Sequence, residues 1–283
     1  MTANPQPEGT ATPQPVDDPH GLTGPPASEP SDVSTPRAEP SDVPGPPPGE
    51  PAPPGEPAAP GEPTAPDGRR SPAPLVAARG LALRGARGWA YRDVDLTLPE
   101  RGLAVVSGEA GSGRTSLLLT LAGRMRPTSG EVTVAGRSGP AAIQRVAAIG
   151  ETEGVNELDD ALTVAEHVFE RRHLRAGLLP RRRAKRSDEV AAALAPVGLD
   201  VDPDTPTGDL GPRDRHLLGA ALALLDRPRL LVLDDVDHGM RGDHQREMWA
   251  CLRALTRQAE VTIIASCVDG ASAADLADVE VAL

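Results

Sequence analysis

The sequence predicts an α/β fold with a mostly parallel core sheet, and three features carry that prediction. Apolar segments of strand length alternate with segments of helical period along the last three-quarters of the chain. An apolar stretch, residues 103–107, runs straight into a glycine-rich turn and then into an amphipathic helix. Residues 230–233 and most of 261–266 are apolar without alternation, the pattern of strands buried on both faces of a parallel sheet.

The first 72 residues stand apart from that pattern. They hold about two-thirds of the chain's 32 prolines and almost no large apolar side chain, so they cannot offset the entropy of ordering. This stretch is expected to be a disordered tail, with short repeats such as Pro-Gly-Glu-Pro at Pro48, Pro54 and Pro60. It is compatible with a ligand for a proline-binding domain and with a plain solvated spacer. Charge divides in the same way: up to Gly68 there are eleven acids and one base, so most of the net charge of −12 belongs to the tail. The remainder is close to neutral, which excludes a general nucleic-acid footprint. Two cysteines, Cys251 and Cys267, are too few for a disulfide framework and fit a reducing compartment. With no signal-peptide pattern and no apolar run near the ~20 residues of a membrane span, a cytoplasmic protein is expected.

From residue 73 each element follows from its pattern. Residues 75–83 and 94–98 read as strands joined by a loop carrying Gly85, Gly88, Trp89 and Tyr91. Residues 103–107 are a strand, 114–125 a helix, 130–136 and 146–149 short strands. Thr163 and Glu166 form a capping box that opens a helix to about Arg175, and residues 187–194 form a second helix with its own cap. Between them lies the one basic concentration of the chain, residues 171–186, read as a solvated face or as a contact for anionic headgroups or an acidic partner. Residues 213–225 form an apolar-striped helix, 245–258 an amphipathic one, and 279–283 a last strand.

The chemistry concentrates on the glycine-rich turn. Gly108, Glu109, Ala110, Gly111, Ser112, Gly113, Arg114 and Thr115, followed by Ser116, fit the phosphate-loop spacing G-x-x-x-x-G-K-[ST] except that Arg114 replaces the lysine. The glycines allow close approach of backbone N–H groups to a phosphate, and the helix N-terminus adds partial positive charge. Lys185 is the only lysine in the chain, so a general bias toward arginine could account for Arg114. The swap is not conservative, because a planar fork replaces a compact ammonium. Asp234 ends the apolar run at a strand's carboxyl end, where it can hold Mg²⁺ opposite Thr115, or cap a neighbouring helix. Asp235 beside it can position or deprotonate a water.

Residues 75–283 resemble the nucleotide-binding subunit of an ATP-binding cassette (ABC) transporter. The resemblance rests on an antiparallel start ending in Asp93-Val-Asp-Leu, on Pro127-Thr-Ser-Gly-Glu-Val after the phosphate loop, on Leu162-Thr-Val-Ala-Glu, and on a helix leading into Leu230-Leu-Val-Leu-Asp-Asp. It implies a P-loop NTPase of ABC type, with an antiparallel β edge and a helical subdomain at about residues 160–215. It further implies ATP and Mg²⁺ as ligands, pairing as a homo- or heterodimer through the nucleotide face, and a separate integral-membrane permease. The catalytic positions fall on Asp235 and Arg114, the metal positions on Thr115 and Asp234, and the adenine platform on Trp89 or Tyr91. Five departures accompany it: Pro212 and Arg213 replace the two signature glycines, Cys267 the switch histidine, Asp235 the catalytic glutamate, Arg241 the D-loop aspartate, and Glu151 or Glu153 the loop glutamine. They imply reduced ATPase activity, and a hydrolysis-deficient regulatory or structural module is the alternative.

Overall fold

The computed structural model describes residues 73–176 and 184–283. The Pro-rich tail and the middle of the basic run fall outside the described residues.

Two sheets form. In the first, β1 (Val76–Gly85) and β2 (Gly88–Leu98) make a long antiparallel hairpin, β4 (Ser129–Val134) pairs on the far side of β1, and the two-residue β5 (Arg137–Ser138) closes the edge. Trp89 and Tyr91, expected in a loop, lie on β2 instead. The turn is only Ala86 and Arg87, and register shifts opposite Leu81 and Leu83 absorb the irregular glycines. The second sheet is all parallel, in the order β6 (Ala147–Ile149), β7 (Leu230–Leu233), β8 (Thr262–Cys267), β3 (Leu103–Ser107) and β9 (Val279–Ala282). Its interior strands are buried along their whole length, as the unalternating apolar runs require.

Helix α1 (Arg114–Leu121) follows β3 and is shorter than the sequence suggests. It ends before Gly123, whose φ of 72° and close approach to the Pro140 carbonyl leave no room for a side chain. The four-residue α2 (Pro140–Ile143) precedes β6. Helix α3 (Val164–Ala176) opens with the expected capping box: Glu166 N–H donates to Thr163 Oγ1 at 3.2 Å and Thr163 N–H donates back to Glu166 Oε2 at 2.8 Å. Helix α4 (Ala184–Leu194) begins before Ser187, so that serine sits inside the first turn and is not the cap. Helices α3 and α4 pack on α5 (Pro212–Leu224), which leads into β7, and α6 (Gly242–Gln258) lies between β7 and β8 in the chain. The buried positions Met248, Trp249, Leu252, Leu255 and Thr256 recur at helical spacing on α6, so one stripe of that helix enters the core.

The apolar interior is two clusters. One joins the parallel sheet to α3 through α6, and the other fills the space between the two sheets and α1. Because Ser107 pairs with Cys267 on one side and with Ala282 on the other, the carboxyl ends of β3, β8 and β9 lie level. In open α/β sheets ligands bind outside such an edge. Among the described residues no helix is long and apolar enough to cross a membrane.

Candidate functional site

The turn after β3 is built for close approach. Gly113 is the residue before α1, with φ 97°, and a Cβ there would collide with the Ala90 carbonyl of β2. At Gly108 an added Cβ would lie 2.6 Å from Ser112 Oγ and 2.8 Å from the Leu283 carbonyl. Ser112 N–H donates to the Glu109 carbonyl at 3.1 Å, which closes the turn, while Glu109, Ala110 and Gly111 form its exposed lip. No acid occupies the first turn of α1, so the positive end of the helix is unopposed. Ser116 lies within that turn, its carbonyl accepting from Thr120 Oγ1 at 2.9 Å.

Across the turn stand the two carboxylates after β7. Thr115 Oγ1 donates to Asp234 Oδ2 at 2.7 Å, and Ser266 Oγ, fully buried on β8, donates to Asp234 Oδ1 at 2.6 Å. Asp235 has φ 45°, and its N–H donates to the same Ser266 oxygen at 2.8 Å. Arg114, buried, places Nη1 2.7 Å from Asp235 Oδ1. The contact is an ion pair without hydrogen-bond alignment, since both atoms are buried and neither makes a hydrogen bond. Burial, and then the charge of Asp234, push the Asp235 carboxyl above its ordinary value, and Arg114 opposes them.

A cleft of about 470 Å³ adjoins these carboxylates, lined among others by Glu151, Leu210, Pro212, Arg215, His216 and His238. Arg215 organises one wall. Its guanidinium contacts Glu151 through Nε and Asp160 through Nη1, and Nη2 donates to the Leu158 carbonyl at 3.1 Å. Burial pushes the Glu151 carboxyl up, and the Arg215 bonds pull it partly back. His216 is pushed down to about 4, chiefly by burial and then by His238, so its ring is neutral near pH 7.

These residues fit a phosphate and a hard cation. Ser112 Oγ is buried without a hydrogen-bond partner beside open backbone, and Thr115 with Asp234 offers two oxygens. Among the described residues no group of three His, Cys, Asp or Glu side chains could hold a metal by itself. Two oxygen donors suit an ion that keeps its waters and takes further ligands from phosphate, which is how Mg²⁺ binds.

A family model for the ABC transporter matches residues 91–237, more than half of the chain. The chain belongs to the ABC transporter family. The cytochrome c biogenesis ATP-binding export protein CcmA of Bordetella parapertussis is 34% identical over 197 residues, covering 68% of this chain and 82% of that protein. The ribose import ATP-binding protein RbsA 2 of Streptomyces avermitilis is 29% identical over 205 residues, covering 69% of this chain but 39% of that protein. The chain thus spans about two-fifths of the ribose import relatives it matches. Among solved structures, cbiO1 from Clostridium perfringens, part of an ABC transporter complex, superposes with a TM-score of 0.61 at 20% identity over 73% of this chain and 84% of that one. The likeness extends to the two-sheet fold with its helices.

Within the ABC fold the departures have definite places. Pro212 is the first residue of α5 and faces Gly239, where φ is 72° and an added Cβ would come within 3.0 Å of the proline ring. Arg213 Nη1 turns to Asp214 at 3.1 Å. Cys267 is buried at the end of β8 and its thiol is pushed up to about 12, mainly by burial, so it supplies no charge. Of the two loop glutamates, Glu151 is held in the cleft by Arg215, and Glu153 is exposed at its lip. Of the two aromatics, Tyr91 is buried and donates to Thr120 Oγ1 at 2.7 Å, so it offers no stacking face. Trp89 is 47% exposed, with the guanidinium carbons of Arg84 and Arg92 at 5.7 and 5.8 Å from its ring. It precedes Ala90, which touches Gly113, but it does not line the cleft of Asp234 and Asp235.

Ser266 and Arg215 are absent from the sequence reading. Ser266 carried a usable signal, a hydroxyl ending an apolar strand beside the switch position. Arg215 carried none, because its partners lie 55 to 64 residues away.

Proposed function

We propose that the chain is the ATP-binding subunit of an ABC-type transporter, working at the inner face of a membrane through a separate permease and pairing with a second cassette through its nucleotide face. The observation that carries this reading is the Thr115–Asp234 contact at the mouth of the glycine turn, with Ser112 Oγ left unpartnered beside it. Backbone N–H groups of the turn and of the first residues of α1 would hold the phosphates, Thr115 and Asp234 would hold Mg²⁺, and Trp89, with its arginines, offers the base a face outside the cleft. Mg²⁺ held there would supply charge neutralisation to the phosphates. Arg114 contributes cationic charge beside the loop, Asp235 faces the cleft where a water can be oriented, and Ser266 holds the Asp234 carboxylate and the Asp235 backbone N–H.

The second reading, a module that binds nucleotide with little turnover, is favoured by the start of α5. Pro212 has no N–H to offer, and Asp214 places negative charge in the first turn. A cassette partner with intact glycines then carries the turnover. Calorimetric titration of the full chain with Mg-ATP tests the first claim, and micromolar or tighter binding is expected. ATPase assays with and without a co-expressed permease separate the two readings. Turnover that Asp235→Asn abolishes supports the enzyme, whereas tight binding with no turnover in any assembly supports the module.

A further inference from the structure

We infer that Arg114 and Asp235 form a nucleotide-selecting pair, in which the Asp235 carboxylate takes the charge partner's place that a terminal phosphate needs, so that the chain favours nucleoside diphosphate over triphosphate. This rests on the nucleotide-binding reading above.

The side chain of Arg114 is 8% exposed and its Nη1 already lies 2.7 Å from Asp235 Oδ1. Little of the guanidinium is therefore open to a ligand. In the phosphate-loop spacing this position carries the cation that reaches the outer phosphates. A diphosphate can be held by the backbone of the turn, by Ser112 and by Thr115 while the pair stays closed. A third phosphate engages Arg114 only by parting it from Asp235. Asp235 is then left half-buried next to Asp234, and the incoming phosphate is itself anionic, so separation costs more than the loss of one exposed ion pair.

The backbone of Asp235 is held in place beside the turn. Its N–H is held by Ser266 Oγ at 2.8 Å, its φ is 45°, and the neighbouring Asp234 is fixed by Thr115 and Ser266. The planar fork of arginine also gives the pair more reach than a compact ammonium would have.

The test measures ADP and ATP affinities of the full chain, each with Mg²⁺, by calorimetry. Wild type is expected to bind ADP at least as tightly as ATP. Asp235→Asn is expected to tighten ATP about tenfold and to change ADP less than about twofold. In an Arg114→Gln background the same Asp235→Asn change is expected to have no selective effect, because the competition has been removed. An equal gain for ATP in that background identifies plain charge repulsion and overturns the pair, as does an equal shift of both nucleotides. A second readout avoids nucleotide altogether. A double-mutant cycle of Arg114→Gln and Asp235→Asn in urea unfolding should show coupling, and additive effects overturn the pair while leaving nucleotide binding standing. Failure of wild type to bind either nucleotide overturns both this inference and the proposed function.

Discussion

Helices α1 and α5 each follow a glycine, and they differ in what they offer an anion. At the start of α1, Gly113 takes φ 97°, no acid follows in the first turn, and Ser112 Oγ is unpartnered. At the start of α5, Gly211 has an ordinary φ of −65°, Pro212 removes an N–H, and Asp214 sets a carboxylate against the helix dipole. The first end keeps its donors open toward a ligand. The second offers one donor fewer and carries an acid in its first turn, with Arg213 Nη1 turned to Asp214. A helix N-terminus is thus a binding site only when the residues flanking it leave its N–H groups and its charge unspent.

The largest effect expected from breaking this contrast is at Gly113. Alanine there meets both the Ala90 carbonyl and a left-handed backbone, and should cost about 3 kcal/mol or more. Urea unfolding measures it, and wild-type stability in the variant would show that β2 does not approach the turn so closely.

The next effect is acidic and belongs to α5. His216 titrates at about 4 instead of 6.5, from burial and from His238, with Asp237 and Asp234 opposing and Arg215 adding to the shift. Its folded value is depressed, so unfolding takes up a proton. The stabilisation is full above pH 6.5 and is lost as pH falls through about 4, with a ceiling of about 3 kcal/mol. His216→Leu should flatten the acid limb of the stability curve while leaving pH 7 little changed. A limb of unchanged slope would place the acid sensitivity elsewhere.

What could be read in advance divides along the same line. The glycine turn and the Thr163–Glu166 box are local, three or four residues deciding their geometry, and both stand where the pattern puts them. Ser187 shows the limit of local reading, since serine suits a cap and a first turn alike and only the preceding residues decide. Trp89 and Tyr91 were hidden by glycines that mark a two-residue hairpin turn and not a loop. The joining of Asp234 and Asp235 through Ser266, 32 and 31 residues away, and of Glu151 through Arg215 depends on strand and helix packing that periodicity does not encode.

A third prediction compares two carboxylates. Asp234→Asn removes the charge facing Thr115 and should weaken Mg-ATP binding about tenfold, with little loss for metal-free ATP. Asp214→Asn, at the closed end of α5, should leave both affinities unchanged. Equal losses in the two variants, measured by titration with and without chelator, would show that overall charge and not a metal site governs binding.

The smallest effect is expected at Gly211, and it is informative because it is small. The residue has φ −65° and ψ 160°, values any side chain adopts, and a Cβ there would meet nothing within 4 Å. Alanine is a slightly poorer helix cap than glycine, but it also narrows the unfolded ensemble, so the two contributions oppose each other. Gly211→Ala should therefore stay within about 0.5 kcal/mol of wild type in urea unfolding and leave nucleotide affinity unaltered. If a partner cassette's phosphate were gripped by this backbone, the added methyl would stand between them, and ATP-driven pairing would fall. Loss of pairing by light scattering, with stability intact, would show that the start of α5 still binds a phosphate despite Pro212 and Asp214.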